Sequence, residues 1–569
     1  MIFLLSAASA FAQEELQLTL DVNSETVPLP KIFKPNIDLS GRGFHRDASL
    51  PQAVAAPEAL DSWQKDIGFS GLYRLQYNLW EINQVPGDKG STNQLRANYE
   101  NIIKRISDSG GTVILGIYGT PAGMGKILDK KSPPLNLKAY KNLVKDLMRY
   151  LSCEKKYNIW YEVWNAPDLD DFYLGRKQDY FNLYRALAEA KKELEAETKT
   201  WIPLGGPSVS WWFQGFDGNS IVTPEKSLIY DFIKYCYRYH LPLDFISWHG
   251  YSSDPAAENE KTIYNKTTVE LIRNWLTYFK FDKNTPLLVD EWNYDRNANV
   301  LKERQEKSFI CASYIPARLK NMYKAGLDNQ VYFCLEDFKN NKEGVIRNVG
   351  IFSFDEEHKD YKGSSKSIYN VFRMLNSLGS RLFSAKIDDD FTGVIATKSD
   401  DGIVMLIYNY VDPEIVMNYL TKEIGGLGAK ERKFLLKVIN SEKLAQIVAG
   451  RLDASGLRTS PKVKGILKNV RELHDSAKKF ASTERKLKLT IKNLKDDYFY
   501  KKYAIDFYCS QNCEFIPVEH KDIIACESYD EAFSLKPYSV QMIVLKVRPP
   551  QPQQPAAAAE TSSPSAQIK

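Results

Sequence analysis

Cysteine is scarce in this chain: seven in 569 residues, an odd number, mostly scattered. No zinc-site spacing appears among them, and neither a metal nor a cofactor is expected. Cys334 falls in an apolar strand and reads as plain core. Cys509, Cys513 and Cys526 lie close together, and one disulfide among them fits an exported protein. An excess of one charge sign is missing too. The net charge of +5 is small for this length, and no basic stretch is interleaved with aromatics, so nucleic acid is not an expected partner. No segment approaches the length of a membrane span. No glycine-rich phosphate fingerprint follows the first strand, which disfavours a dinucleotide-binding sheet.

What is present is an ordinary globular composition, 43% hydrophobic and 26% charged, in a chain too long for one core. Two domains plus tails are expected, with the oligomeric state left open. Aromatics make up 12%, with 33 Tyr and 10 Trp. Such rings suit sugar-binding surfaces and large barrel cores alike, and composition leaves both readings open. Residues 1–12, MIFLLSAASAFA, form an apolar run ending in Ala10-Phe11-Ala12. That is a signal-peptide h-region with its cleavage site, lacking a basic n-region, and it predicts export to the periplasm or beyond. Residues 549–569 are a Pro/Ala/Ser tail without core formers, expected to be disordered.

Residues 13–35 carry an alternating strand, LQLTLDV, expected to join the C-terminal sheet. Strand and helix patterns then alternate over residues 36–380. The eight strand candidates are Asn36–Arg42, Leu72–Trp80, Thr112–Tyr118, Ile159–Ala166, Ile202–Ser210, Phe245–Tyr251, Leu287–Asn293 and Val331–Asp337. Helical stretches such as Leu95–Ser109, Leu137–Leu151, Gln178–Thr198 and Ser227–Tyr239 separate them. Eight β/α repeats predict an α/β fold, a closed (β/α)8 TIM barrel. Over residues 381–548 short alternating strands predict an accessory antiparallel β-sandwich. A charged helical insertion, 441–485, interrupts it; Ile466, Leu467, Val470, Leu473, Ala477 and Phe480 mark one apolar helix face.

Barrel enzymes place their chemistry at the C-terminal ends of the strands. Glu291, in LLVDEWNYD, stands at such an end with Trp292 and Asn293 beside it. His249 and Tyr251, in DFISWHGYS, end the preceding strand two residues apart, hence on one face. His249 is either a satisfied structural histidine or a group that bonds substrate or Glu291; Tyr251 is placed to hold the carboxylate ionised. Asn165 can bond a sugar hydroxyl. Arg74, charged among apolar residues, needs a carboxylate partner. Glu162 and Glu291 are the natural choices, and Glu162 reads as structural. Trp211 and Trp212 either wall a subsite or pack under a loop.

These residues resemble glycoside hydrolase family 39, the β-xylosidase and α-L-iduronidase group of retaining TIM-barrel enzymes. The match is carried by Ser40-Gly41-Arg42, Tyr73-Arg74, Glu162-Val163-Trp164-Asn165 with Pro167-Asp168, Gly205-Gly206-Pro207-Ser208, Ile246-Ser247-Trp248-His249 with Tyr251, and Glu291-Trp292-Asn293. Tyr503–Asp506 and Leu535–Leu545 resemble the accessory sandwich. The resemblance implies a carbohydrate substrate and a retaining mechanism with Glu291 as nucleophile. Asn165, His249, Tyr251, Arg74, Gln76 and Trp292 would be substrate-side residues. Ala166 stands where the family has its acid/base glutamate, Gln76 where many members have a sugar-binding histidine, and Phe333 where tryptophan is common. Such a chain is either a glycosidase limited to activated substrates or a catalytically silent carbohydrate-binding pseudoglycosidase. Asp168 is no evident replacement; Glu336 and Asp337, ending the eighth strand, are candidates.

Overall fold

The computed structural model describes residues 15–41, 55–82, 89–213, 226–262, 265–294, 308–340, 345–347, 349–353, 364–509 and 512–549. The expected signal segment, Arg42 and nearly all of the expected tail lie outside the described residues. Two N-terminal strands, β1 (Leu16–Asp21) and β2 (Thr26–Pro28), precede the barrel. The barrel strands are β3 (Ile37–Asp38), β4 (Leu72–Asn78), β5 (Thr112–Tyr118), β6 (Ile159–Val163), β7 (Leu204–Val209), β8 (Phe245–Tyr251), β9 (Leu287–Asn293) and β10 (Asn329–Tyr332). Each pairs in parallel with the next, and β10 closes on β3 through Tyr332 and Ile37. Helices over Leu137–Met148, Lys177–Thr198, Leu228–Arg238, Thr268–Tyr278, Ser308–Ala325 and Ser367–Asn376 cover the outside. Strands buried on both faces account for the near-continuous apolar runs that mark them in the sequence.

All eight strand candidates are barrel strands; Thr112–Tyr118, Phe245–Tyr251 and Leu287–Asn293 keep the expected limits and the other five change. Strand β6 stops at Val163 rather than Ala166, because Trp164 and Ala166 take left-handed φ values of 72° and 41°. The last strand begins at Asn329, earlier than its apolar run suggests. Gln330 is buried there without penalty: its Oε1 accepts from Trp292 Nε1 at 2.6 Å and its Nε2 donates to Ile32 O at 3.2 Å.

A hairpin of β11 (Phe338–Asn340) and β12 (Val345–Arg347) lies between the last barrel strand and the Ser367–Asn376 helix, and the second domain follows that helix. Its strands are β13 (Arg381–Phe383), β14 (Thr392–Ser399), β15 (Gly402–Asn409), β16 (Arg485–Leu494), β17 (Tyr498–Ile505), β18 (Glu519–Ile523), β19 (Cys526–Leu535) and β20 (Val540–Val547). A seven-stranded sheet, β18-β17-β20-β15-β14-β13-β2, faces a three-stranded one, β1-β16-β19. Leu18, Leu487, Leu489 and Ile491 from the small sheet meet Met405, Ile407, Ile543 and Leu545 from the large one. β1 lies parallel to β16 and β2 antiparallel to β13, so the N-terminal segment contributes to both sheets. Cys509 and Cys513 are disulfide-bonded, while Cys526 is free.

The helical insertion is larger than the 441–485 expected. Helices already start at Ile415–Gly425 and Ala429–Ile439, continue through Glu442–Val448, and end with Pro461–Ser482. The β-branched and aromatic residues of 415–420 lack a helical signature on their own. They become helical because Leu420 joins Leu435, Val438, Val463, Ile466, Leu467 and Val470 in a core separate from that of the sandwich. Phe480 alone of the last helix reaches across, edge-on to Phe391 and Tyr538.

Candidate active site

Arg74 lies inside the barrel with no exposed surface, and its guanidinium gathers residues from β3, β6, β7 and β9 or their ends. Nε donates to Glu162 Oε2 at 2.9 Å and lies 3.5 Å from Asp290 Oδ2. Nη1 donates to Glu291 Oε2 at 2.9 Å and to Asp38 Oδ2 at 3.2 Å. Nη2 donates to Asn165 Oδ1 at 2.7 Å and to Ser208 Oγ at 2.9 Å. With its amide oxygen turned inward, Gln76 accepts from Nη2 at 2.8 Å and Nη1 at 3.2 Å. Both carboxylates expected to pair with Arg74 therefore do so, and two further ones, Asp38 and Asp290, join them.

Two register shifts bring in residues that simple alternation would turn outward. Pro207 and Val209 of β7 face consecutive residues of β8, Ser247 and Trp248, which leaves Ser208 as an extra residue at φ 52°. Val289 and Glu291 of β9 face Trp248 and His249, which leaves Asp290 extra. Such bulges re-aim side chains beside active sites. Here Ser208 Oγ donates to Asp290 Oδ2 at 2.7 Å inside the barrel. Ser247 Oγ donates to Glu162 Oε1 at 2.8 Å, which completes the partners of that carboxylate.

Four carboxyl groups around one cation cannot all ionise without cost. Burial pushes the Asp290 carboxyl well up, and the nearby Glu162 charge adds to this. Glu162 is likewise buried, but the Arg74 charge and bonds from Ser247 and Arg74 outweigh that and hold it down, ionised. Burial raises Asp38 to about 6 against the opposing pull of Arg74.

Glu291 is the carboxylate at the rim, 9% exposed. Tyr251 Oη donates to its Oε1, Arg74 to its Oε2, and His249 Nε2 lies 3.4 Å from that same Oε2. Burial raises the Glu291 pKa, while Arg74 and Tyr251 oppose the rise. His249 also lies 3.1 Å from Ser208 Oγ. Burial, then the Arg74 charge, lower its pKa to about 3, so a neutral ring faces Glu291.

Ala166 follows Asn165 at the same barrel end. Its N–H donates to Ser208 O at 2.9 Å, and Trp164 before it donates from Nε1 to Phe172 O at 3.1 Å. Two left-handed residues in three are a costly backbone, held here by packing on all sides. Asp168 is tied to Ser210 through the Ser210 N–H at 3.0 Å and the Ser210 hydroxyl. Phe333 stands over Tyr251 with ring centroids 6.3 Å apart. Trp211 is 41% exposed and Trp212 9%, their rings edge-on 6.2 Å apart just beyond β7.

Three expectations change. Trp292, expected on the substrate side, is fully buried and faces the helix layer, against Tyr314 and Tyr332, because it neighbours Glu291 on the strand and points the opposite way. Arg74 lies beneath the mouth and positions other groups. Glu336 and Asp337 are fully buried: Glu336 accepts from Ala56 N at 2.8 Å, and Asp337 from Lys366 Nζ and Gly350 N at 2.7 Å each. Asp38, Ser208, Ser247 and Asp290 were not assigned to the site from the sequence, although Ser208 and Ser247 fall within the stretches that carry the resemblance. Asp38, an acid between Ile37 and Leu39 in the first strand, and Asp290, an acid after the apolar run Leu287-Leu288-Val289, carried a signal. Among the described residues, no group of three or more His, Cys, Asp or Glu is arranged to hold a metal ion.

A closed parallel barrel whose rim carboxylate is fixed by arginine and tyrosine has the architecture of a barrel enzyme with its site at the C-terminal strand ends. The sequence model of glycosyl hydrolases family 39 matches residues 122–464, more than half of the chain, and the chain belongs to that family. It is similar to the β-xylosidase of Caldicellulosiruptor saccharolyticus, 24% identical over 294 residues, or 50% of this chain and 55% of that protein. It is also similar to the β-xylosidase of Geobacillus stearothermophilus, 25% identical over 301 residues, or 49% and 53%. The chain thus spans about half the length of the curated relatives it matches. Among solved structures, a glucosidase from Croceicoccus marinus superposes with a TM-score of 0.62 at 16% identity, over 94% of this chain and 100% of that one. A monomeric β-xylosidase from Caulobacter crescentus CB15 gives 0.59 at 14% identity, over 93% and 99%. At these identities the likeness shows the shared fold. No helix among the described residues is long and apolar enough to cross a membrane.

Proposed function

We propose that this protein is an exported, retaining glycoside hydrolase acting on O-glycosidic bonds, with Glu291 as nucleophile. The observation that carries the reading is the Glu291 carboxylate at the barrel rim, one oxygen on Arg74 and the other on Tyr251. Glu291 attacks the anomeric carbon and the glycosidic bond breaks to a leaving group that keeps the electron pair. Asn165, held through Oδ1 on Arg74, has its amide N–H groups for a sugar hydroxyl. Ala166 has no proton to give at the position of the usual acid/base. The leaving group departs as its own anion, which restricts the enzyme to activated substrates. Water then displaces the sugar from Glu291 without a protein base.

Ala166 also supports a second reading, a catalytically silent carbohydrate-binding protein. An activated fluorosugar separates the two. Incubation followed by mass spectrometry is expected to show a glycosyl adduct on the peptide carrying Glu291, absent in Glu291→Gln. Saturable sugar binding without an adduct would establish the binding reading instead.

A further inference from the structure

With alanine at position 166 the departing group receives no proton from that side, so it has to be one that leaves readily as an anion. A phenol is such a group. The tyrosine hydroxyl ionises near about 10, against about 15.7 for water. The backbone around Ala166 is tied to the end of β7 at two points. Ala166 N–H donates to Ser208 O at 2.9 Å. Two residues further on, the buried Asp168 carboxylate accepts from the Ser210 N–H at 3.0 Å and from the Ser210 hydroxyl. The loop that carries Ala166 and the turn that leaves β7 are thus clamped together.

What directly follows the clamp is aromatic, Trp211-Trp212-Phe213. The three rings have different surroundings. Trp212 is buried in the main core, and Phe213 packs partly against that core. Trp211 is 41% exposed and stands edge-on to Trp212 at 6.2 Å and to Phe213 at 5.7 Å. Core formation accounts for Trp212 and Phe213. It does not account for an indole held partly in solvent by two other rings, at the strand ends where a barrel binds its substrate. The loop that carries Ala166 exposes an apolar residue of its own, Leu174.

We propose that Trp211 is the stacking platform of an aglycone subsite and that the group it takes is a phenol ring, so that the substrate class is the aryl glycoside, a sugar joined through a phenolic oxygen. The substrate class rests on the glycosidase reading of Glu291; the platform rests on the clamp and on the exposed indole. A Glu291 oxygen bonds to the anomeric carbon as the bond from that carbon to the phenolic oxygen breaks. The phenolate keeps the electron pair, spreads the charge into its ring, and takes a proton from solvent. Water then bonds to the same carbon, the bond to Glu291 breaks, and the carboxylate is restored with one proton released to solvent. The Asp168–Ser210 clamp holds the platform beside the loop where the usual proton donor is missing.

The test uses the full chain carrying Glu291→Gln, so that binding is measured whether or not the site turns over. The probes are the phenyl and methyl 1-thio-β-D-xylosides and the corresponding glucosides, by calorimetry. With one of the two sugars the phenyl glycoside is expected to bind at least about threefold tighter than the methyl one, within the span of an aromatic pair. Adding Trp211→Ala should bring that ratio close to one, with the fold intact by circular dichroism, while Trp211→Tyr keeps most of it. Trp201, also exposed but ahead of the first residue of β7 and so at the other end of the barrel, is the control: Trp201→Ala should leave the ratio as it was. Equal binding of phenyl and methyl glycosides, no binding of either, or a ratio that survives Trp211→Ala would each overturn the subsite. The fluorosugar experiment is independent of this one. An adduct on Glu291 without a phenyl preference removes the subsite and spares the glycosidase reading; a Trp211-dependent preference without an adduct does the reverse. If Trp211→Ala fails to fold, Trp211→Leu, which keeps an apolar side chain without a ring, is read in its place.

Discussion

Tyr410 and Ser253 join the two domains: the tyrosine hydroxyl of the sandwich donates at 2.6 Å to a backbone carbonyl of the barrel. Tyr314 holds Ser252 O in the same way, and the rings of Tyr294 and Tyr314 pack against Tyr410. These contacts fix the loop immediately beyond Tyr251. Tyr410→Phe removes one buried bond, and a loss of about 1–3 kcal/mol in stability is expected from denaturant unfolding. If the loop also steadies Tyr251 against Glu291, the acid limb of kcat/KM on an activated glycoside moves to higher pH. Stability lost with the limb unmoved would make Tyr410 a domain tether only.

Tyr251 itself gives a sharper test. Its hydroxyl opposes the burial that raises the Glu291 pKa. Tyr251→Phe removes that opposition, so Glu291 stays protonated to higher pH. In the nucleophilic role proposed for Glu291 the carboxylate must be ionised, so the acid limb of kcat/KM is expected to shift upward. An unmoved limb would remove Glu291 from the titration that controls the rate.

How much of this was legible in the sequence follows from periodicity. Strands buried on both faces write themselves as apolar runs, and all eight barrel strands were found that way. Glu291, Tyr251, His249 and Asn165 were visible as polar groups at strand ends. Asp290 and Ser208 were not assigned to the site, since a strand's period of two sends the neighbour of an inward residue outward. Only a register shift between paired strands reverses this, and that is a property of the sheet. Trp292 failed for the complementary reason: past the bulge, alternation resumed and took it to the helices. The early helices of the insertion were missed because their pattern has meaning only against a core built by the later helix.

Arg74 balances the buried carboxyls Asp38, Glu162 and Asp290 and the rim carboxylate Glu291. Arg74→Met leaves them without a cation. A loss of about 3–5 kcal/mol is expected by denaturant titration, the range for breaking a buried pair. Arg74→Lys should recover only part of it, because one ammonium cannot reproduce the guanidinium's planar fork. Wild-type stability in Arg74→Met would contradict the arrangement.

His249 and Asp38 predict opposite pH responses. The unfolded His249 takes up a proton near 6.5, the folded one only near 3. Its stability contribution is full above 6.5 and is lost as pH falls toward 3. Asp38, ordinarily near 3.8, is raised to about 6. Its contribution is full below 3.8 and is lost as pH rises through 6. Each amounts to a few kcal/mol at most, since a tenfold change in proton affinity is worth about 1.4 kcal/mol. Unfolding titrations from pH 4 to 7 should show a shallower loss toward acid in His249→Asn and a steeper one in Asp38→Asn. Curves parallel to wild type in both would refute these assignments.

Ala166 offers the most direct test of the mechanism. The proposed retaining mechanism calls for two carboxyl groups about 5–5.5 Å apart. With alanine at one position, a small anion can take the place of the missing group and attack the glycosyl-enzyme without base assistance. Azide or formate should therefore speed turnover of an aryl glycoside with a good leaving group, and azide should yield a glycosyl azide of retained configuration. Ala166→Glu should restore cleavage of poor leaving groups by up to about 10²–10⁴-fold, the usual contribution of a positioned acid/base. The left-handed backbone at φ 41° tolerates a side chain, since alanine already holds it. If neither azide nor Ala166→Glu changes the rate on any sugar that binds, the missing carboxylate is not the sole defect. Gln76 and Phe333 then become the residues to change, and the mouth is a binding site rather than a catalytic one.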